Sequence, residues 1–411
     1  MPRPPTDPRP PIPTAYRSDD RVAIQEMARD FAMNRVLPVA NELDPEHGLI
    51  PESLRKEMGE LGFFGILIGT EYDGLGLGAF EYALITEELA RAWMSVASII
   101  ARSSLARSVN RARRAEILPR AARGEWLGAF AMSEPDAGSD VASIRTRAER
   151  TDGGWLINGQ KMWCTFADQA NALIVVARTT PYDPARRHSG IRQFVVEKEP
   201  GTLPEGCTGN PIRKIGYHGW NTFELSFSDC FVPEDGLVGN EAEGAAEPEA
   251  QPEKASDGFA RTVSGMTIPR IHTAARSIGL ARGALEDSIR YVGERHQFDR
   301  PIADFQAIRF KIATMASEIE ACRALMYQVA DDADHGANVD DRAAMLKYLA
   351  AEMSERVTSE GLQIHGGAGY TTDFAIERYW RDARLTKIFE GTSEIMQRIV
   401  SDSLLGRSGL R

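Results

Sequence analysis

Cysteine is scarce in this 411-residue chain, and it does not occur in the spacings of a metal or redox site. The four cysteines, Cys164, Cys207, Cys230 and Cys322, include no C-x-x-C pair. Isolated cysteines of this kind are typical of reduced thiols in the cytosol, where disulfides are rare. The sequence therefore predicts a cytoplasmic protein with no metal site.

Long apolar runs and an apolar leader are missing as well. No stretch approaches the ~20 apolar residues of a membrane helix. The first residues contain seven prolines before Thr14, instead of the apolar segment of a signal peptide. The formal net charge of −11 argues against nucleic acid or a membrane as a main partner. A local basic groove for the phosphates of a substrate remains compatible with that charge.

The chain also lacks the G-x-G-x-x-G fingerprint of a nicotinamide-binding βαβ unit. The glycines of residues 74–78 have the wrong spacing and lie in a helical region. Those of residues 366–369 follow a predicted helix, where glycine is typical of a helix stop. A nicotinamide-dependent dehydrogenase is therefore not expected.

The hydrophobic pattern changes from helical to β and back to helical along the chain. Residues 1–17 are proline-rich and predict a disordered, mobile arm. Residues 18–125 have helical periodicity and predict an α-helical domain. Residues 126–239 contain short apolar runs separated by turns, which predict a small β domain.

The remainder of the chain predicts a loop followed by a second helical domain. Residues 240–260 are acidic and contain few apolar side chains, so we expect a flexible surface insertion. Residues 261–411 return to helical periodicity. Phe305, Ile308 and Ile312 begin a 3-4-3-4 stripe that is typical of a helix in a bundle or against a partner subunit.

One carboxylate near the C-terminus is a candidate catalytic base. Glu390 follows Ile388 and Phe389 and precedes Gly391. Burial beside apolar residues disfavours the charged form of a carboxylate, so we expect a raised pKa for Glu390. The same segment is also interpreted as a helix N-terminus, with Thr392 or Ser393 as the cap and Glu394 in the first turn.

A second polar segment lies far upstream, over residues 130–140, and is followed by residues 158–165. The simpler interpretation is a Pro/Gly turn followed by a hairpin at Asn158-Gly159. The functional interpretation is a flavin site, where Ser133 and Thr165 meet the polar edge of the ring and Trp163 covers its apolar face.

Taken together, these motifs resemble the acyl-CoA dehydrogenase family, over a span from about residue 21 to residue 405. The matching segments are residues 132–140, 158–165, 215–233, 295–306, 363–370 and 388–395. The resemblance implies an α+β fold with an N-terminal α-helical domain, a middle β-barrel or sandwich domain and a C-terminal four-helix bundle. It also implies FAD as the cofactor and a substrate of the short-, medium- or branched-chain type.

The resemblance implies two sets of FAD-binding residues. The first set is Phe130, Met132, Ser133, Ser139, Trp163, Thr165, Thr392 and Glu394. The second set reaches the FAD of a neighbouring subunit and is Arg295, Phe298, Gln306, Gln363, Gly366 and Gly367. A cofactor shared in this way implies an obligate oligomer, a homotetramer or alternatively a dimer. Without the resemblance, Arg295 would be interpreted as a surface salt-bridge residue.

On the substrate side, the resemblance implies that Ser139 meets the pantetheine arm and that Arg270 and Gly391 contact the substrate. Thr267 and Ile268 replace the acid and the first arginine of the family's CoA-binding element. This departure leaves an acyl carrier protein open as the alternative to CoA. Arg102 is interpreted either as a solvated helix-face arginine or as a pocket arginine that holds a polar group of the acyl chain.

The reaction that the resemblance implies is α,β-dehydrogenation of an acyl thioester to the trans-2-enoyl product. Glu390 removes the α-proton, the β-hydrogen leaves as hydride to the flavin N5, and an electron-transferring flavoprotein accepts the electrons. Two other classes stay open: a flavin-dependent oxidase or monooxygenase on the same fold, and a catalytically silent binding protein.

Overall fold

The computed structural model describes residues 12–239 and 266–407. None of the helices in these two ranges is long and apolar enough to cross a lipid bilayer. The α-helices are α1 Asp19–Phe31, α2 Leu37–Leu43, α3 Glu52–Glu60, α4 Ala79–Ala92, α5 Met94–Ile99, α6 Arg111–Ala122, α7 Thr267–Glu294, α8 Gln306–Asp334, α9 Asp340–His365, α10 Ile376–Thr386 and α11 Ser393–Leu404.

The strands of the middle region form one seven-stranded sheet. They are β1 Gly128–Ala131, β2 Arg147–Thr151, β3 Gly154–Thr165, β4 Ala172–Arg178, β5 Ile191–Glu197, β6 Cys207–Pro211 and β7 Thr222–Pro233. The order is β1-β4-β2-β3-β7-β6, with β5 paired to β4. A short hairpin of β8 His296–Gln297 and β9 Arg300–Pro301 lies between α7 and α8. The predicted order of helices, sheet and helices is confirmed.

Two details of the sequence interpretation are wrong. Asn158 and Gly159 lie inside β3, at an irregularity in its pairing with β7, so they do not form the hairpin turn. The turn that precedes β3 is at residues 152–153. Arg102, interpreted as a helix-face arginine, lies instead in the 3₁₀ segment Ile100–Ser108, which follows α5 after Ile99.

The proline-rich arm is shorter than expected. Ile12 is buried, and the ring of Tyr16 lies 5.5 Å from that of Phe80, so residues 12–17 pack against the helical core. Residues 1–11 of the predicted arm, and the insertion predicted for residues 240–260, lie outside the described residues.

Helix α7 lies at the centre of the helical part and packs against α4, α8, α9 and α10. Its buried face alternates small residues with charged ones, and the charges are satisfied by neighbouring helices. Arg282 of α7 pairs with Glu88 and, at 2.7 Å, with Glu87 of α4. All three side chains are at most 1% exposed. Because buried charges are tolerated only when paired, this contact fixes how α7 lies on α4.

The network extends beyond these three residues to the other helices. Arg91 of α4 donates to Glu286 of α7 at 2.6 Å and to the hydroxyl of Tyr379 in α10 at 2.9 Å. Arg323 of α8 lies 2.9 Å from Glu87. Arg29 of α1 lies 2.9 Å from Glu286. Helices α1, α4, α7 and α8 are therefore tied together through one set of ion pairs, and α10 joins them through the hydrogen bond to Tyr379.

We expect Arg282→Met to lower the free energy of unfolding by about 3 to 5 kcal/mol, because it leaves the buried Glu87 with Arg323 alone and the buried Glu88 with Arg29 at 3.5 Å. Arg147→Met is the matched control, since Arg147 lies in an exposed pair with Glu149, and it should cost less than about 1 kcal/mol. Urea unfolding with saturating FAD measures both. Losses of equal size would show that the Arg282 network does not hold the helices together.

Candidate active site

Glu390 lies in the short loop between α10 and α11, with a left-handed backbone conformation (φ 54°). Gly391 follows with φ 95°, and a Cβ added there would lie 2.5 Å from Cε of Met396. Glycine is therefore required at position 391, and the sharp turn directs Glu390 away from α11.

The capping interpretation of this loop is also correct. The hydroxyl of Thr392 accepts a hydrogen bond from the backbone N–H of Ile395, which makes Thr392 the N-cap of α11. Glu394 lies in the first turn of that helix. The cap and the candidate base are thus compatible functions of adjacent residues.

Two residues of α7 hold the Glu390 carboxylate. Arg276 lies 2.8 Å from Oε1, and the hydroxyl of Thr273 donates a hydrogen bond to Oε2. Arg276 also donates to the hydroxyls of Ser98 at 2.8 Å and Thr273 at 2.9 Å. The side chain of Arg276 is 1% exposed, whereas that of Glu390 is 33% exposed. The carboxylate is therefore bound by a buried cation, while part of the Glu390 side chain remains accessible to solvent.

The pKa expected for Glu390 is wrong in sign. Desolvation raises the pKa, but the charge of Arg276 and the hydrogen bonds from Thr273 and Arg276 outweigh it and bring the pKa of Glu390 to about 2. The apolar neighbours suggested the opposite shift, because the cation on α7, Arg276, is distant in sequence. The carboxyl group of Glu390 is therefore ionised at neutral pH.

A buried lysine holds the backbone of the same loop. Lys347 of α9 donates a hydrogen bond from Nζ to the carbonyl oxygen of Gly391. Its side chain is fully buried, and desolvation lowers the pKa of Lys347 to about 8. The turn at Glu390 is thus fixed by α7 on one side and by α9 on the other.

The structure brings together the residues predicted to meet the flavin ring. The backbone N–H of Met162 donates to the carbonyl of Ser133 at 2.8 Å, which joins the loop after β1 to β3. Trp163 is 58% exposed and has a φ of 63°. The hydroxyl of Thr165 lies 3.0 Å from that of Thr222. An exposed tryptophan beside accessible hydroxyls fits the flat ring and polar edge of a flavin.

The other residues predicted for this set lie around the same loop or next to Glu390. Phe130 and Met132 are half-buried at the end of β1, and Ser139 is exposed farther along the loop. Thr392 and Glu394 lie beside the candidate base.

A buried ion pair that the sequence interpretation missed braces this loop. Lys161 of β3 donates to the carboxylate of Glu134 at 2.8 Å and to the carbonyl of Met132 at 2.9 Å. Glu134 also accepts from the backbone N–H groups of Arg145 and Thr146. The signal in the sequence was a lysine on an inward-facing position of a strand.

The second predicted set of cofactor residues lies at the far end of the bundle. Arg295, Phe298 and Gln306 are exposed around the β8–β9 hairpin, and Phe298 is 86% exposed. Gln363, Gly366 and Gly367 are exposed at the end of α9. Tyr291 lies near the end of α7, just before the hairpin, and its ring stacks on that of His365, the last residue of α9, at 4.2 Å. This contact places the residues around the hairpin next to those at the end of α9.

This second set does not join the Glu390 site within one chain. Thr273 and Arg295 are both on or next to α7, and the rise of an α-helix places them about 33 Å apart.

The predicted substrate residues lie in different surroundings. Arg270 is 7% exposed, and its Nη1 lies 3.4 Å from the carbonyl of Asp340 in α9. Thr267, where the family's acid was expected, donates to the carboxylate of Asp340, so α9 provides an acid near this position. Arg102 is half-buried in the 3₁₀ segment after α5. Its charge acts on Tyr82 and on His272.

Comparison with known proteins identifies the family. Models of the N-terminal, middle and C-terminal domains of acyl-CoA dehydrogenase match residues 18–125, 129–230 and 256–405. The chain belongs to the acyl-CoA dehydrogenase family. The acyl-CoA dehydrogenase fold predicted from the sequence is therefore confirmed.

Individual relatives agree with this assignment. The chain is 36% identical to an acyl-CoA dehydrogenase of Bacillus subtilis, over 95% of this chain and 99% of that protein. It is also 36% identical to the acryloyl-CoA reductase (NADH) of Anaerotignum propionicum, over 93% and 94% of the two chains. A solved glutaryl-CoA dehydrogenase from Mycobacterium smegmatis in complex with FADH2 has a TM-score of 0.85 and 27% identity, with 97% of each chain covered. This acyl-CoA dehydrogenase is an FAD-dependent oxidoreductase.

We expect Lys161→Met to weaken FAD binding by about 10- to 100-fold, because Glu134 loses its buried cation and the loop that carries Ser133 loosens. FAD titration of the apoprotein measures this dissociation constant. Lys56→Met changes an exposed lysine of α3 and is the control. An unchanged FAD affinity in Lys161→Met would contradict the bracing role.

Proposed function

We propose that Glu390 is the base that removes the α-proton in the dehydrogenation of an acyl-CoA to its trans-2-enoyl product. The observation that supports this most strongly is the placement of its carboxylate, which is ionised, fixed from α7 and still one-third exposed. A positioned general base contributes roughly 10² to 10⁴ in rate.

The role of each group in the reaction follows from its position. FAD, when bound, supplies the acceptor for the β-hydrogen, which leaves as hydride. The backbone N–H of Glu390 is the donor proposed for the thioester carbonyl, and such a preorganised donor contributes about 10² to 10³ in rate. Lys347 supports that donor, because it fixes the adjacent carbonyl of Gly391.

We assign the binding of FAD to both sets of predicted residues. Phe130, Met132, Ser133, Trp163 and Thr165 form the surface for the flavin ring of the same chain. Thr392 and Glu394 follow the base along the chain, at the start of α11, and are the remaining residues assigned to this FAD. The second set, around Arg295 and Gly366, is proposed to bind the FAD of a neighbouring subunit, because about 33 Å of helix separates it from Glu390.

The substrate arm is assigned to three of the predicted residues. Ser139 is exposed on the loop after β1, where it can contact a pantetheine arm. Gly391 adjoins the base and offers no side chain to exclude the thioester. Arg270 is the cation proposed for the CoA portion, and its Nε lacks a hydrogen-bond partner among the described residues. An acyl carrier protein would present the same pantetheine arm. A carrier-protein-bound acyl group therefore remains the alternative substrate.

The same residues can also serve the reverse reaction. The similarity to an acryloyl-CoA reductase shows that relatives include enzymes named for reduction of an enoyl thioester. In that direction, Glu390 would return a proton to the α-carbon. We assign dehydrogenation as the forward activity, with an electron-transferring flavoprotein as the electron acceptor and a cytoplasmic enzyme of fatty-acid metabolism as the setting.

We expect Glu390→Gln to slow flavin reduction by an acyl-CoA by at least about 10²-fold while FAD remains bound, because the amide cannot accept the α-proton. Anaerobic loss of flavin absorbance measures the rate, and the absorbance before mixing measures the bound FAD. Glu197→Gln is the control, since Glu197 lies on the β domain in an exposed pair with Arg113. Rapid flavin reduction by Glu390→Gln would rule out this base.

We expect the holoenzyme to be a homotetramer, because the second FAD-binding set needs a neighbouring subunit. Light scattering after size-exclusion chromatography should give four times the mass of the chain. Arg295→Ala should reduce FAD affinity, whereas Arg186→Ala, at an exposed loop position, should not. A monomer that retains stoichiometric FAD would contradict the shared site.

A further inference from the structure

A half-buried lysine lies behind the hydroxyls assigned to the flavin. Lys214 belongs to the segment between β6 and β7, and its Nζ donates hydrogen bonds to the carbonyl of Trp220 at 2.7 Å and to the hydroxyl of Thr222 at 3.0 Å. The Thr222 hydroxyl in turn lies 3.0 Å from that of Thr165, the residue assigned to the polar edge of the flavin ring. Two hydrogen bonds therefore separate the lysine from a side chain that faces the cofactor.

The charge of Lys214 is not neutralised by an ion pair within the parts of the chain that the structure describes. Both acceptors of its Nζ are neutral oxygens, and desolvation lowers the pKa of Lys214 to about 8. Asp382 of α10 attracts the lysine, but its Oδ1 accepts a hydrogen bond from the backbone N–H of Tyr217 at 2.6 Å. A cation removed from water with only neutral partners stabilises any negative charge that arises nearby.

The direction of these hydrogen bonds follows from the cation. A lysine ammonium only donates, so the hydroxyl oxygen of Thr222 accepts from Lys214. Donation from a cation makes the Thr222 hydroxyl a stronger donor and a poorer second acceptor. Besides Lys214, the Thr165 hydroxyl is its one side-chain partner among the described residues. Thr222 therefore donates to Thr165, and the hydroxyl proton of Thr165 is left for the cofactor.

The segment that carries Lys214 also reaches the loop of the proposed base. Nζ of Lys214 lies 5.2 Å from the centre of the Tyr217 ring, and the edge of that ring packs against Phe389, with 6.0 Å between the ring centres. Phe389 directly precedes Glu390 in the chain. The lysine is therefore held between the hydroxyls assigned to the flavin and the loop that carries Glu390.

We propose that Lys214 is a positioning residue of the flavin site, which acts through Thr222 so that Thr165 donates its hydroxyl proton to the cofactor. This inference rests on the proposed function, and in particular on the assignment of Thr165 to the flavin. Hydride transfer from the substrate adds one negative charge to the flavin, and a hydrogen-bond donor that is backed by a cation stabilises this charge. Lys214 therefore favours the reduced form of the bound cofactor and raises its reduction potential.

The test measures the two-electron reduction potential of the bound FAD against reference dyes, with no substrate present. Lys214→Met should shift the equilibrium about tenfold toward the oxidised flavin, which is a potential about 30 mV lower, and Thr222→Val should have a similar effect. Thr222→Ser keeps the hydroxyl and should keep most of the wild-type potential. Arg213→Met removes an exposed cation from the same segment and is the matched control, for which we expect no shift.

A double variant separates the relay through Thr222 from a direct effect of the lysine charge. In the Thr222→Val background, Lys214→Met should lower the potential no further, because the relay is already broken. Equal shifts in both backgrounds would show that the charge acts through space and would overturn the relay. If Lys214→Met does not bind FAD, Lys214→Gln takes its place, since its amide can still donate to the carbonyl of Trp220.

The outcomes also separate this inference from the proposed function. If Thr165→Val lowers the potential and the variants of Lys214 and Thr222 do not, the flavin assignment stands and the role of Lys214 is wrong. If Thr165→Val leaves the potential unchanged, Thr165 does not donate to the flavin and the inference is overturned. If no acyl-CoA reduces the flavin of the wild-type enzyme, the proposed dehydrogenation is wrong, and the potentials still decide the role of Lys214.

Discussion

The buried pairing of Arg282 with Glu87 and Glu88 is the contact on which the arrangement of the helical domains depends. It leaves α7 only one way to lie against α4, since any other rotation would bury unpaired charges. Arg276 is six residues earlier on the same helix, about 9 Å along the axis. The network therefore also determines where Arg276, the cation beside Glu390, lies. Among the described residues, Arg282, Glu87 and Glu88 themselves form no ion pair with Glu390.

In the candidate active site, a buried cation, Arg276, holds the carboxyl group of Glu390 in its charged form. The charged form of Glu390 is already stabilised in the free protein, where Arg276 and Thr273 bind its carboxylate. An interaction that is strong before the reaction and lost during it does not accelerate the chemical step. The ion pair with Arg276 therefore holds Glu390 in place and does not strengthen it as a base.

Local patterns in the sequence were sufficient for the order of the helical and β regions and for the motifs that identified the family. The short apolar runs of residues 126–239, the stripe of α8 and the motif around Glu390 are each local features, so they could be recognised directly. The pKa shift of Glu390 could not be derived in this way, because Arg276 lies 114 residues away in the chain. The pair of Lys161 and Glu134 was missed for the same reason. Tertiary contacts between charged residues determine the chemistry of this site, and a sequence pattern does not reveal which charges meet.

The most direct test of the central claim is the effect of deuterium at the α-carbon on the anaerobic rate of flavin reduction. If Glu390 removes the α-proton as the β-hydride leaves, the acyl-CoA deuterated at C2 must react several-fold more slowly than the protiated compound. A rate that responds to deuterium at C3 but not at C2 would mean that proton removal is not part of the step that reduces the flavin. In that case the electrostatic arrangement around Glu390 would not serve α-proton abstraction.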